Sequence, residues 1–313
     1  MIMHKQITDH LLMVRPLHFA RGTETYKDNS FMERPEDRHL PRIAELAREE
    51  FDAYVKVLRD AGVKVTVMQD STDPILPNSV FPNNWFTTHD DGLFVTYPMF
   101  WPERRLERRP EIIDELDQKF IIRRSLALEH WENDDRYLEG TGSLVLDREN
   151  RIAYASASER CTLDAVHDWC DAMDYRPITF HAFDARGNVI YHTNVMMAVG
   201  VKAAIVCLDS IRDEGERSKV RESLAITGKK IVEITLDQVD NFAGNALEVL
   251  TKFGPSWVMS TRAFKALSEG QLAALEQAII HAPLDVIEHY GGGSARCMIG
   301  EIYLEERQTA AEQ

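Results

Sequence analysis

The sequence predicts an α/β protein assembled from repeated small units, and two observations carry that prediction. Strand-like and helix-like segments alternate in a ββαβ-like rhythm along the whole 313-residue chain. Five polar positions mark the same period: Asn84 to Glu139 is 55 residues, Glu139 to His192 is 53, His192 to Asn245 is 53 and Asn245 to Cys297 is 52. That period accommodates one compact supersecondary unit per repeat. Units that close into a ring bring equivalent positions together at its axis, gathering a thiol, an imidazole and a carboxylate from distant parts of the chain. Alternation of this kind also fits a doubly wound parallel sheet. The chain has no G-x-G-x-x-G or P-loop string, however, and only Gly140-Thr141-Gly142 approaches one.

Each element has a local justification. Residues 41–61 place Ile43, Leu46, Phe51, Val55 and Leu58 at amphipathic spacing and stop at Gly62, which predicts a helix. The alternating run 63–68 reads as a strand. Strands at 93–97 and 120–122 flank a helix over 103–119. Runs 143–147 and 152–155 pair as a hairpin across 148–151, followed by a helix over 162–172 and a strand over 177–180. The second half continues with strands near 196–199, 203–208, 231–234 and 257–259, and helices over 212–225 and 269–280. The apolar run 284–287 follows, and 298–303 reads as the last strand. No Pro/Ser-rich linker or low-complexity segment interrupts the chain, so residues 1–313 are read as one domain.

Composition narrows the function. Apolar content of 44% and charged content of 28% are ordinary for a soluble globular protein. A net charge of −15 argues against binding nucleic acid or an anionic membrane. No apolar run approaches the length of a transmembrane helix, and the N-terminus lacks the pattern of a secretion signal, so a cytosolic protein is expected. Cys161, Cys170, Cys207 and Cys297 show neither CxxC pairing nor zinc-ligand spacing. The first three read as reduced, space-filling residues. Cys297 differs: it follows Gly291-Gly292-Gly293-Ser294-Ala295-Arg296. Glycines of this kind permit unusual φ angles or close backbone approach, and an adjacent cation with loop N–H groups favours a thiolate. A buried cysteine opening the last strand is the competing reading. His192 precedes an apolar run and has the pKa to move protons near neutrality. Glu139 stands at the mouth of the hairpin, in phase with both.

The order Glu139-Gly140-Thr141-Gly142, then His192-Thr193-Asn194, then a glycine-rich C-terminal Cys297 resembles the guanidino-group modifying, or pentein, superfamily. The resemblance covers nearly the whole chain. It implies a five-bladed pseudo-symmetric α/β propeller, with Cys297 as nucleophile, His192 as general acid/base and Glu139 as a substrate-binding and orienting carboxylate. It also implies a small amino-acid substrate, no metal or organic cofactor, and a homodimer. Deiminases of the superfamily hold a cationic guanidinium with two aspartates; here the corresponding positions are Asn84, beside Asn83, and Asn194. A carboxamide offers one acceptor and two donors without charge, which matches a neutral ureido group. The chain therefore most resembles the CtlX-like citrulline-utilising hydrolases, whose N-terminal Arg-Pro…Asn stretch is matched by Arg15, Pro16 and Asn29. Asn29 precedes Asn84 by 55 residues and is placed in the substrate pocket with Asn84, Asn194 and Asn83. The expected reaction converts L-citrulline to L-ornithine, carbon dioxide and ammonia through an S-carbamoyl enzyme. The alternatives are an arginine deiminase or dihydrolase using the same trio, an amidinotransferase, or a non-catalytic propeller binding protein. For the substrate carboxylate, Arg15, Arg21, Arg262 and Arg296 all remain open.

Overall fold

The structure, a computed structural model, describes residues 4–20 and 24–308. Among the described residues, fifteen strands form five three-stranded sheets. β1 (His10–Arg15) and β2 (Lys64–Gln69) share the first sheet with the last strand of the chain. The next contains β3 (Phe86–Thr88), β4 (Leu93–Thr96) and β5 (Arg124–Ala127), and the third β6 (Leu144–Asp147), β7 (Ile152–Ser156) and β8 (Arg176–Phe180). The fourth holds β9 (Met197–Val199), β10 (Ala203–Val206) and β11 (Lys230–Glu233), and the fifth β12 (Leu247–Thr251), β13 (Gly254–Ser260) and β14 (Ala278–Ala282). Finally β15 (Gly300–Ile302) returns to β1, with His10 opposite Ile302.

Every sheet repeats one plan. The first strand pairs antiparallel with the middle strand, and a crossover returns the chain so that the third lies parallel to the middle one. This is a five-bladed α/β propeller of ββαβ-like repeats, closed by pairing the two ends of the chain. First strands of different blades meet one another, β15 with β3, β6 with β9 and β12 with β9. Apolar side chains fill the space between blades; Val145 and Tyr154 of the third blade belong to one cluster with Ile205 of the fourth and Trp257 of the fifth. Burying side chains of this size is worth about 1.5–3 kcal/mol each.

Departures from the expected elements have physical causes. The helix expected over 103–119 is two helices, Pro102–Arg105 and Pro110–Lys119. Pro110 disfavours a helical residue before it, and Arg109 is extended at φ −83°, ψ 126°. The strand expected at 120–122 lies instead at Arg124–Ala127, a largely exposed outer strand whose composition carries no apolar signature. Phe120 is buried as a core anchor. The helix expected over 269–280 ends at Leu275, where Glu276 turns left-handed (φ 58°), and 278–282 is β14. Run 284–287 opens a helix, Asp285–Gly291, whose N-terminal N–H groups on Val286 and Ile287 donate to Glu50 from the helix Leu40–Asp60. A cap supplied from 236 residues away leaves no local signal. No helix among the described residues is long and apolar enough to cross a membrane.

Candidate active site

The five periodic residues stand two to five positions ahead of the first strand of each blade: Asn84 before β3, Glu139 before β6, His192 before β9, Asn245 before β12 and Cys297 before β15. All are buried. Asn29 is outside this set. It lies between β1 and the helix Leu40–Asp60, in a blade whose marker is Cys297, so its 55-residue offset from Asn84 has no structural meaning. Its side chain nevertheless reaches the site, donating to the Gly292 carbonyl at 3.4 Å and accepting from the Phe31 N–H at 3.1 Å.

The glycines explain how three blades converge. Gly142 lets Asn84 and His192 close over it; a Cβ there would stand 2.4 Å from the Asn84 amide and 2.7 Å from His192 Nδ1. Gly292, at φ +60°, accepts the left-handed turn that swings the chain from the helix Asp285–Gly291 toward Cys297, with the Asn29 amide 2.4 Å from where its Cβ would be.

His192 and Glu139 form the electrostatic centre. His192 Nε2 lies 2.9 Å from Glu139 Oε2, and Glu139 Oε1 accepts from the Phe100 N–H at 3.0 Å. Burial alone raises the Glu139 carboxyl. Arg160 at 3.7 Å, the His192 bond and Arg104 at 3.6 Å outweigh it and hold the carboxyl at about 2. Burial lowers the His192 pKa, with Arg160 and Arg104 adding to the effect against the opposing pull of Glu139. An ionised carboxylate only accepts, so the neutral imidazole carries its proton on Nε2 and leaves Nδ1 basic. Each arginine is itself clamped, Arg104 by Glu107 (2.9 and 2.8 Å) and Arg160 by Asp28 (2.6 and 2.6 Å).

Cys297 Sγ faces two carboxamide donors, Asn245 Nδ2 at 3.2 Å and Asn194 Nδ2 at 3.5 Å. Asn245 also accepts, through Oδ1, from the Arg296 N–H at 3.0 Å and the Cys297 N–H at 3.4 Å. Arg296 itself turns away to Glu301, 2.5 Å distant, so amides rather than the neighbouring guanidinium attend the sulfur. The other three cysteines are buried free thiols whose pKa values burial raises, to about 12 at Cys161 and Cys170 and about 11 at Cys207.

Cys297 and His192 line a common small cavity, of about 10 Å³ for water-sized contents, with Asn29, Asn78, Asn84, Tyr191, Arg104 and Arg160 in its wall. No acidic residue lines it among those described. A wider cleft of about 620 Å³ lies outside, bordered by Tyr26, Asp28 and Ser158, and shares Tyr191 with the cavity. The thiol and imidazole border the smaller space and not the wider cleft. Asn83 and Asn194, expected in the pocket, do not line it: Asn83 backs Asn84, and Asn194 sits at the sulfur, bordering a separate space with Gln6 and Arg148. Glu139 is fully buried behind the wall and does not line the cavity, its Oε2 bonding the wall residue His192 and its Oε1 the Phe100 N–H. Of the arginines considered for a carboxylate, Arg15 pairs with Asp52, Arg262 bonds Asn241, Arg296 pairs with Glu301, and Arg21 lies outside the described residues. Arg104 and Arg160 were not signalled by sequence; both sit in arginine-rich or polar segments without periodic marking. Among the described residues no group of His, Cys, Asp or Glu side chains is arranged to hold a metal ion.

A buried cysteine, a histidine–glutamate pair and glycine-enabled convergence in a five-bladed α/β propeller define a guanidino-group modifying enzyme of the pentein superfamily. Residues 15–304 match the family N,N dimethylarginine dimethylhydrolase, eukaryotic, and the chain belongs to it. It is a hydrolase of non-peptide C–N bonds. Solved structures agree in fold. The N-terminal domain of ArgZ, a cyanobacterial arginine dihydrolase bound to product, is 19% identical with a TM-score of 0.74, over 96% of this chain and 98% of that one. AgrE in ternary complex with ornithine and NAD+ is 19% identical with a TM-score of 0.73, over 96% of this chain but 40% of that one. A His-to-Gly variant of dimethylarginine dimethylaminohydrolase, as an adduct with S-methyl-L-thiocitrulline, is 14% identical with a TM-score of 0.68, over 95% and 100%. No curated protein sequence matches the chain.

Proposed function

We propose that the chain hydrolyses a ureido side chain, with L-citrulline as substrate and L-ornithine, carbon dioxide and ammonia as products. One observation carries the reading: the wall around Cys297 and His192 presents two guanidiniums and three carboxamides, and no carboxylate to receive a substrate cation. A neutral head group loses little there, whereas a guanidinium gives up its hydration without gaining a charged partner.

The proposed steps draw on the contacts of the resting site. His192 Nδ1 takes the Cys297 proton, and Glu139 stabilises the imidazolium so formed. The thiolate, held by the Asn245 and Asn194 amides, attacks the ureido carbon. The C–Nδ bond breaks as His192 returns its proton to the leaving nitrogen, releasing ornithine and an S-carbamoyl enzyme. Water, deprotonated by the same imidazole, attacks the carbonyl; the C–S bond breaks, and the carbamate released decomposes to carbon dioxide and ammonia. Asn84 and Asn29, in the wall of the cavity, hold the head group. A cytosolic homodimer remains the expectation for this enzyme, the oligomeric state being readable by light scattering.

A second reading has specific support: the family's name and ArgZ both point to guanidino substrates. Ammonia and dimethylamine release from citrulline, arginine, agmatine and N,N-dimethylarginine, assayed in parallel on the purified protein, separates the two. Citrulline turned over fastest is the expected result; arginine or dimethylarginine turned over faster by tenfold or more replaces the ureido reading with the guanidino one.

A further inference from the structure

Asn84 is the carboxamide on which head-group selection turns, and the orientation of its amide is fixed from behind. With Oδ1 toward Arg104, it accepts from Nη1 at 2.8 Å and Nη2 at 3.2 Å, while Nδ2 donates to Asn83 Oδ1 at 3.1 Å. The reverse orientation sets the amide N–H₂ against guanidinium donors and its oxygen beside Asn83, satisfying neither, so the hydrogen-bond network assigns the first. Arg104 has no freedom to retreat. It is buried, its Nε and Nη2 are taken by Glu107, and Nη1 lies 3.6 Å from Glu139. Asn83, Asn84, Arg104 and Glu107 are all nearly inaccessible to solvent, so no bulk water competes for these bonds.

We infer that Arg104 is a specificity-determining positioning residue, acting through Asn84. By occupying the acceptor of that carboxamide with two N–H donors, it leaves Asn84 only a donor to offer a ligand. A ureido carbonyl accepts such a bond. A guanidinium has no acceptor, and its N–H groups meet an amide that can only donate. Charge alone therefore does not explain the selection: an asparagine free to rotate would serve either head group, and this one is not free. The inference deepens the ureido reading, and it also makes a claim that stands whichever substrate proves fastest.

The test uses ligands that lack a carboxylate, so that any contact between Arg104 and an amino-acid carboxylate drops out. Dissociation constants for n-butylurea and n-butylguanidine, measured by calorimetric titration, give a head-group ratio. Arg104→Met is made together with Glu107→Gln, so that no buried carboxylate is left unpaired, and its fold is checked by circular dichroism and melting temperature. The ratio is expected to move toward the guanidine by about tenfold, the scale of one net hydrogen bond. The same pair of changes is then made with Asn84→Ser, where the shift is expected to vanish. An unchanged ratio overturns the inference, as does a shift that persists without Asn84, which assigns Arg104 a direct effect of charge. Should the double variant fail to fold, Arg104→Lys, which keeps the charge but loses the paired donors, is read the same way. A parent protein that prefers the guanidine overturns the ureido reading without touching the expected shift.

Discussion

Replacing Glu139 by glutamine isolates what the buried carboxylate does for His192. The side chain has no exposed surface, and its two oxygens serve His192 Nε2 and the Phe100 N–H. Glutamine keeps the shape and one acceptor but loses the charge. A hydrogen bond to a charged group contributes about 1.5–3 kcal/mol and a neutral one about 0.5–1.5 kcal/mol, so the imidazolium loses about 1–2 kcal/mol of support. At about 1.4 kcal/mol per unit, the His192 pKa, already lowered by burial, falls by about one unit more. Every step of the scheme passes through the imidazolium, so kcat/KM is expected to drop about fivefold to thirtyfold, with the acid limb of its pH profile moving down by about one unit. Arg104 and Arg160 keep Glu107 and Asp28, so the variant stays folded. There is also a stability readout. The carboxyl, held at about 2, lies below its unfolded value, so its stabilisation is full above about pH 4.5 and lost as pH falls through 2. The variant lacks that acid-side loss. A kcat/KM within twofold of the parent, with an unmoved acid limb, refutes the assignment of Glu139 as the partner of the working imidazole.

Three further outcomes are expected. Glu288 is buried, bonds Ser294 Oγ at 2.5 Å, and is pushed up to about 7 by burial, so its contribution to stability is full below about pH 4.5 and lost as pH rises through 7. Glu288→Gln should gain about 3 kcal/mol on the parent between pH 5 and pH 8, seen as a widening gap in urea midpoints; a gap that stays constant contradicts it. Gly142→Ala should fold yet lose turnover at least a hundredfold, because its Cβ displaces the Asn84 amide and His192 together; steady-state kinetics retaining a tenth of parental activity would show that the close approach is dispensable. Asn245→Ala should slow inactivation of Cys297 by a haloacetamidine about tenfold, since the nearest donor to Sγ is gone, and an unchanged inactivation rate removes Asn245 from the thiolate's support.

How much of this was legible in the sequence depends on where each signal resides. The period was legible because closure repeats one backbone plan, and a polar residue ahead of each first strand is the part of the plan that reaches the axis. The Glu139-Gly140-Thr141-Gly142 string was legible because the glycines are demanded by the packing of Asn84 and His192. Outer strands such as β5, with its exposed Arg124 and Ser125, were hidden, since an edge that faces water needs no apolar alternation. The helix Asp285–Gly291 was hidden because its cap comes from Glu50. Asn29 shows the opposite failure: a correct offset with no equivalence, its place at the cavity owed to the turn it shares with Gly292. Arg160 left no trace because its partner, Asp28, is 132 residues away. Arg104 pairs locally with Glu107, three residues on, but its approach to Asn84 and Glu139 is tertiary.

Those two arginines also bear on how an acid-rich chain builds a cavity with no acid in its wall. Two carboxylates stand behind the cavity, Glu107 and Glu139, and a third, Asp28, borders the wider cleft outside it. Asp28 and Glu107 are matched by Arg160 and Arg104, and Glu139 finds its partner in His192 when that ring is protonated. In the proposed scheme, once the thiol proton has moved to the imidazole, no carboxylate in this layer is left over for a substrate cation. Removal of one of these acids would expose an unpaired guanidinium to the cavity, and removal of one arginine would expose an acid. On the proposed reading, head-group preference is a property of the closed set of charges, with Asn84 and Asn29 as the wall residues offered to the ligand. An aspartate at position 84 would change the preference only to the extent that Arg104 failed to absorb its charge, which is why the amide and the guanidinium behind it have to be read as one unit.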